Sequence, residues 1–223
     1  MLKKIKDYFP TYLHMLILFP LHTLIYELAN HFSTPDRIHP VWCRVDEILG
    51  VRPWAVLPYC SWFFLILFTV LYTARYDTVL LRKFAKYCMV TSFLTDLVFL
   101  FWPSCVGYRP EVEVTGFCSW LLNLIHTVDN NCCALPSLHV QWAFGMTFAM
   151  LEDRRHSSLL WKGFWVGEAL LITLSTMLTK QHSFLDTVYA LPIIFLAWLL
   201  AFSSGDPAPL EPLPIFKKEG KHV

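Results

Sequence analysis

Thr179-Lys180-Gln181-His182-Ser183-Phe184-Leu185-Asp186 stands at the mouth of an apolar run that continues to Phe202. On a helix, residues four apart share a face, so Asp186 is expected to hold one imidazole nitrogen of His182 and leave the other free to react. Such a pair is also a common structural device. A second stretch sharpens the reading: Asn131-Cys132-Cys133-Ala134-Leu135-Pro136-Ser137-Leu138-His139-Val140 puts another histidine at the mouth of another apolar segment. Two histidines and an aspartate then converge at one end of a bundle.

The composition says what kind of bundle. Of 223 residues, 56% are hydrophobic and only 16% charged, with mean hydropathy +0.47, where a soluble domain carries about 25% charge. The expected fold is an all-α integral membrane protein, a bundle of about six transmembrane helices at roughly 20 residues per crossing. The spans are read at Pro10–Ala29, Trp54–Ala74, Ala85–Trp102, Leu135–Leu151, Leu159–Leu178 and Ser183–Phe202. Residues 1–202 form a single membrane-embedded domain, and the Pro-rich, polar residues 203–223 a disordered cytoplasmic tail. No cleavage site follows the basic start, so the first run is read as an uncleaved anchor. Val41, Trp42, Val45, Ile48 and Leu49 suggest a short interfacial helix ahead of the second span. A basic turn with Arg75, Arg82, Lys83 and Lys86 is expected between the second and third spans, and a long loop at Pro103–Ala134.

With six spans, thirteen of the eighteen Lys and Arg fall on the side of the termini: Lys3, Lys4, Lys6, Arg75, Arg82, Lys83, Lys86, Arg154, Arg155, Lys162, Lys217, Lys218 and Lys221. Arg37, Arg44, Arg52, Arg109 and Lys180 fall on the other. The positive-inside bias puts both termini in the cytoplasm. Arg109, His139, Lys180, His182 and Asp186 then share the extracytoplasmic face. A net charge of +1 with no basic patch gives no sign of a nucleic-acid partner. The seven cysteines show no C-x-x-C spacing, so no zinc site is expected. Cys105 and Cys118 can pair if their loop is extracytoplasmic, but free thiols packed among aromatics are the expectation. Asp96 and Glu168 lie inside spans and are read as protonated or paired interior residues, and His14 and His22 as packing or pore-facing groups.

Arg109 stands in Trp102-Pro103-Ser104-Cys105-Val106-Gly107-Tyr108-Arg109-Pro110, and a guanidinium fork suits phosphate oxygens. Taken in order, Arg109-Pro110, Pro136-Ser137-Leu138-His139 and His182-x-x-x-Asp186 resemble the three signature motifs of the type 2 phosphatidic acid phosphatase superfamily, closest to its inositol phosphorylceramide synthase-like branch. The resemblance covers about residues 33–195. It implies a membrane lipid phosphatase or phosphotransferase that acts on lipid phosphoesters without a cofactor. His182 would be the nucleophile, Asp186 its orienting carboxylate and His139 the acid for the leaving alkoxide. Arg109, Ser137 and Lys180 would bind the phosphate. The pattern departs where Trp102 replaces a lysine, Leu138 a glycine and Thr176 an arginine. Two other classes stay open: a metal enzyme using His139, His182 and Asp186 as ligands, and a non-catalytic lipid scaffold or transporter.

Overall fold

The computed structural model describes residues 17–18, 20–32, 36–107 and 109–205. The expectations for the basic N-terminus, for His14, for the start of the first span and for most of the tail fall outside those residues. The described chain is mostly helical. Helix α1 covers residues 20–32 and α2 Arg44–Leu49. A 3-10 turn, Pro53–Ala55, leads into α3, Val56–Tyr76, followed by α4, Thr78–Phe101. Then come α5, Phe117–Val128, α6, Leu138–Glu152, α7, Leu159–Leu178, and α8, Phe184–Ala201.

Among the described residues, three helices are long and apolar enough to cross a membrane: Pro53–Tyr76, Thr78–Phe101 and Phe184–Ala201. The 15-residue α6 and the α7 helix, which carries Lys162 and Glu168, are not among them. Phe63, Phe64, Leu67, Phe93, Phe101 and Phe195 stand exposed on the outer faces of the three. A soluble monomer does not display so much aromatic and aliphatic surface. Three apolar helices with bare faces of this kind suggest a membrane protein.

Helix α6 is the hub, packed against α3, α4, α7 and α8. Inside a bilayer, burying apolar side chains gains little because lipid is as apolar as leucine, so close fit and interhelical hydrogen bonds must hold the helices. Both occur along α6. A Cβ on Gly145 would lie 2.5 Å from the Tyr87 ring, so the missing side chain admits α4. One turn away, the Tyr87 hydroxyl donates to the Gln141 carbonyl at 2.8 Å, and the Gln141 amide donates to Thr95 at 2.9 Å. On the other flank, the Thr147 hydroxyl donates to the Trp165 carbonyl of α7 at 3.0 Å.

Several boundaries differ from expectation. The basic turn is helix. Asp77 accepts from the backbone N–H groups of Val79 and Leu80 at 3.0 and 3.1 Å, so α4 begins at Thr78 and carries Arg82, Lys83 and Lys86 in its first turns. The long loop is structured, holding α5 and a strand, β2, Ser104–Val106. This strand pairs in parallel with β1, His39–Val41, in a two-stranded ladder. Three-residue strands are too short to leave an alternating pattern in the sequence. The cysteine expectation is also corrected. Cys105 is disulfide-bonded to Cys132, and Cys118 is free. Cys105 and Cys132 face each other across a β-bridge, which brings the segment after α4 against the one before α6.

Candidate active site

The site is built where α7 ends and α8 begins. Gln181 and His182 both donate their backbone N–H to the Thr176 carbonyl, at 3.1 and 3.0 Å, and Lys180 takes φ +57°. That closes a tight turn and starts a new helix at once. Ser183 is the N-cap of α8: its hydroxyl accepts from the Leu185 N–H, while the Asp186 carboxylate accepts from the Ser183 N–H at 2.9 Å. Asp186 therefore folds back over the helix start, as the third residue of a capping box does. There it also reaches His182, which lies before the cap. The pair meets through the cap and not along a helical face.

The carboxylate of Asp46 on α2 finishes this corner. It accepts from the Ser183 hydroxyl at 2.6 Å, the Phe184 N–H at 2.8 Å and the Cys43 N–H at 2.9 Å. Asp46 is buried with a relative exposure of 2%. Sequence reasoning missed it, taking the surrounding segment as an interfacial helix. The one available signal was an acidic residue inside an otherwise apolar stripe.

His182 Nδ1–H has two acceptors, the Ala134 carbonyl at 3.0 Å and Asp186 Oδ2 at 3.1 Å. Both fix the proton on Nδ1. Nε2 is left unprotonated, and its lone pair accepts from His139 Nδ1–H at 3.2 Å. His139 is the second residue of α6. Its backbone carbonyl accepts from the Trp62 indole at 3.0 Å, and its ring lies against Tyr59 and Trp62, with centroids at 4.8 and 4.5 Å. Ser137 caps α6 and sends its backbone N–H to the Asp186 carbonyl at 3.1 Å. That bond ties the two histidine-bearing loops together. Because Asp186 and His139 bind opposite nitrogens of the His182 ring, the three groups do not converge on one point as metal ligands must.

His139, His182 and Asp186 are thus brought together, with Ser137 alongside. Two expected phosphate ligands stand differently. Lys180 is buried and its ammonium donates to the Asp46 carbonyl. It is turned from the histidines toward α2, and burial pushes its pKa below the ordinary lysine value. Arg109 donates from Nη1 to the Asp129 carbonyl at 2.9 Å, while its buried Nε and Nη2 have no hydrogen-bond partner among the described residues. Burial lowers its pKa, with nearby Asp129 opposing the shift.

A cavity of about 370 Å3 opens in front of the histidines. Its wall is mostly apolar and aromatic, with Tyr59, Trp62, Phe63 and Phe99 among its lining, and it includes His22, Tyr26, Glu27 and Asp129. Arg109 and Lys180 are not part of that lining. Gln181 is, and its buried side-chain amide nitrogen has no hydrogen-bond partner among the described residues. Sequence reasoning left Gln181 out of the site, because a glutamine beside a histidine does not show by itself that its amide lies buried at a cavity wall.

No curated protein and no solved structure matches the chain. Residues 46–200 match the PAP2 superfamily, a stretch that runs from Asp46 through both histidine-bearing loops. The match covers well over half of the 223 residues, so the chain belongs to the PAP2 superfamily, whose members are generally phosphatases or phosphotransferases.

Proposed function

We propose that this protein is a membrane lipid phosphatase or phosphotransferase, carried by one membrane-embedded domain over residues 1–202, that works through a phosphohistidine on His182. The observation that carries the reading is the doubly held Nδ1–H of His182, which leaves Nε2 with its lone pair beside His139 and the cavity. In this chemistry Nε2 attacks phosphorus and the lipid alkoxide departs. The His139 proton passes to that alkoxide, a task for which an imidazole is well matched near neutral pH. Asp186 stabilises the charge that His182 gains. Arg109 and Gln181 supply N–H groups to the phosphoryl oxygens, Ser137 holds the loop, and Lys180 acts on the corner through Asp46.

The apolar wall supports a substrate whose tails stay in the bilayer. The Cys105–Cys132 disulfide supports an extracytoplasmic site, because such bonds persist in oxidising compartments. That placement agrees with cytoplasmic termini. A headgroup transfer of the inositol phosphorylceramide synthase type is the second reading. It is favoured by the cations missing at Trp102 and Thr176 and by Lys180 facing elsewhere, since a phosphodiester carries less charge than a phosphomonoester.

The test is trapping of the phosphoenzyme on the full chain in detergent with labelled nitrophenyl phosphate, quenched in alkaline denaturant because a phosphohistidine is lost in acid. His182→Ala should lose all label and all turnover. His139→Ala should be nearly normal on this activated substrate and at least about 100-fold impaired on an alkyl ester, which needs protonation of its leaving group. If the activated substrate rescues His182→Ala and not His139→Ala, the roles are reversed. Turnover by His182→Ala at the wild-type rate would sink the reading.

A further inference from the structure

Asp96 sits in the long apolar helix α4, where an ionisable group is costly and calls for a partner and a purpose. Its partner is on the page. His22 Nδ1–H of α1 donates to Asp96 Oδ1 at 2.6 Å, across 74 positions of sequence. The two side chains retain 16% and 9% exposure, and the His22 ring lies 6.2 Å from that of Phe99. His22 lines the same cavity as His139 and His182. Among the described residues its Nε2 has no hydrogen bond. A histidine whose Nδ1–H is held by a carboxylate presents the lone pair of Nε2 as a base, and the carboxylate stabilises the imidazolium that forms. His182 is built on the same plan, so one cavity holds two histidine–aspartate pairs. Residues 20–32, which carry His22, lie outside the 46–200 stretch shared with the superfamily. The second pair therefore joins a residue outside that stretch to Asp96 within it.

We infer that His22 is a catalytic base for the acceptor hydroxyl in the second half of the reaction, with Asp96 as its positioning residue. The inference rests on the phosphohistidine reading given above. In the step, a lone pair of the acceptor oxygen forms the new O–P bond. The P–Nε2 bond to His182 breaks, and its electron pair returns to the imidazole. The acceptor O–H proton passes to His22 Nε2, and bulk water later restores the starting protonation of both His22 and His139. His139 is less available for this step, because its ring is wedged against Tyr59 and Trp62. His22 occupies the α1 wall of the cavity, where an acceptor has room to enter.

The experiment separates the two halves in the full chain, in detergent, with nitrophenyl phosphate as donor and water or glycerol as acceptor. The nitrophenolate burst reports formation of the phosphoenzyme, and loss of acid-labile label in a chase reports its discharge. His22→Gln should leave the burst within about threefold and slow discharge by about 100-fold, the usual worth of a positioned base. Asp96→Asn should slow discharge less and leave the burst intact. Added imidazole should restore discharge in His22→Ala, a response that a merely structural role would not give. A burst and discharge that fall together, discharge unchanged in His22→Gln, or no imidazole rescue would overturn the inference and leave the phosphohistidine reading standing. Absence of label in the wild-type protein would overturn both.

Discussion

Removing the Asp46 carboxylate should unfasten the corner on which His182 is mounted. Asp46→Ala deletes three acceptor contacts at 2.6–2.9 Å in a site with 2% exposure. The Phe184 N–H, one of the donors a helix start leaves unpaired, then has no partner. A hydrogen bond to a charged group contributes about 1.5–3 kcal/mol. The three share one carboxylate and are not additive, so the loss is about 3–5 kcal/mol, the range for truncating one member of a buried charged network. At about 2–4 °C per kcal/mol for a chain of this size, the thermal midpoint should drop by about 10 °C. Tryptophan fluorescence of the detergent-solubilised protein during heating measures it. Asp46→Asn keeps the volume and one acceptor, and should fall between wild type and Asp46→Ala. Turnover should decline in both variants at temperatures where the fold is intact, because Ser183 no longer fixes the turn holding His182. A midpoint within 1 °C of wild type, together with unchanged turnover, would refute Asp46 as the fastener of the site.

Gly145→Ala should cost about 1–3 kcal/mol by overpacking, since its Cβ would meet the Tyr87 ring at 2.5 and 2.6 Å; the thermal midpoint checks it. Cys132→Ser opens a link between residues 27 apart, and chain entropy alone predicts a loss of about 3.5 kcal/mol, reproduced in wild type by a reductant and absent when the reductant is added to the variant. His126 on α5 donates from Nε2 to the Thr179 carbonyl at 2.7 Å, and burial, reinforced by Arg109, holds its pKa below the ordinary histidine value. The unfolded state then binds the extra proton first, so α5 docking is fully stable above about pH 6.5 and weakens as pH falls below it. The protection factors of Phe117–Val128, which are corrected for the intrinsic pH dependence of amide exchange, should fall between pH 7.5 and 5.5, and His126→Gln should remove the dependence.

That His139, His182 and Asp186 come together was legible because chemistry restricts them: two histidines and an aspartate at the ends of apolar runs stand out in a chain with so few charges. The reason given for one pairing did not survive. His182 and Asp186 meet because Asp186 folds back as the third residue of a cap, and spacing alone does not distinguish that from a shared helical face. Helices α7 and α8 were read within a residue or two, since Ser158 and Ser183 precede long apolar runs as good caps. Asp77 is an equally good cap, but the cluster Arg82, Lys83 and Lys86 masked it as a turn. The proposed phosphate ligands were harder. Lys180 has the right charge at the right address in the sequence, yet a positive φ and the Asp46 carbonyl turn its side chain the other way. Asp46, the Cys105–Cys132 bond and the β1–β2 ladder depend on partners 27 or more residues away, which local pattern does not encode.

The Ala134 carbonyl that shares the Nδ1 proton of His182 has a consequence for how the chain tolerates change. A main-chain oxygen is present whatever side chain stands at position 134, so half of the anchorage of the proposed nucleophile is immune to point substitution. With Asp186 replaced by asparagine, the carbonyl still selects the same tautomer and the same ring pose. What disappears is the negative charge. The difference in turnover between the two forms therefore isolates the electrostatic share of the carboxylate, uncontaminated by a flipped imidazole. In a serine-protease triad, by contrast, the same substitution brings in the wrong tautomer and costs about 10,000-fold. Insurance of this kind lets the carboxylate position drift during evolution without an immediate loss of the reactive geometry.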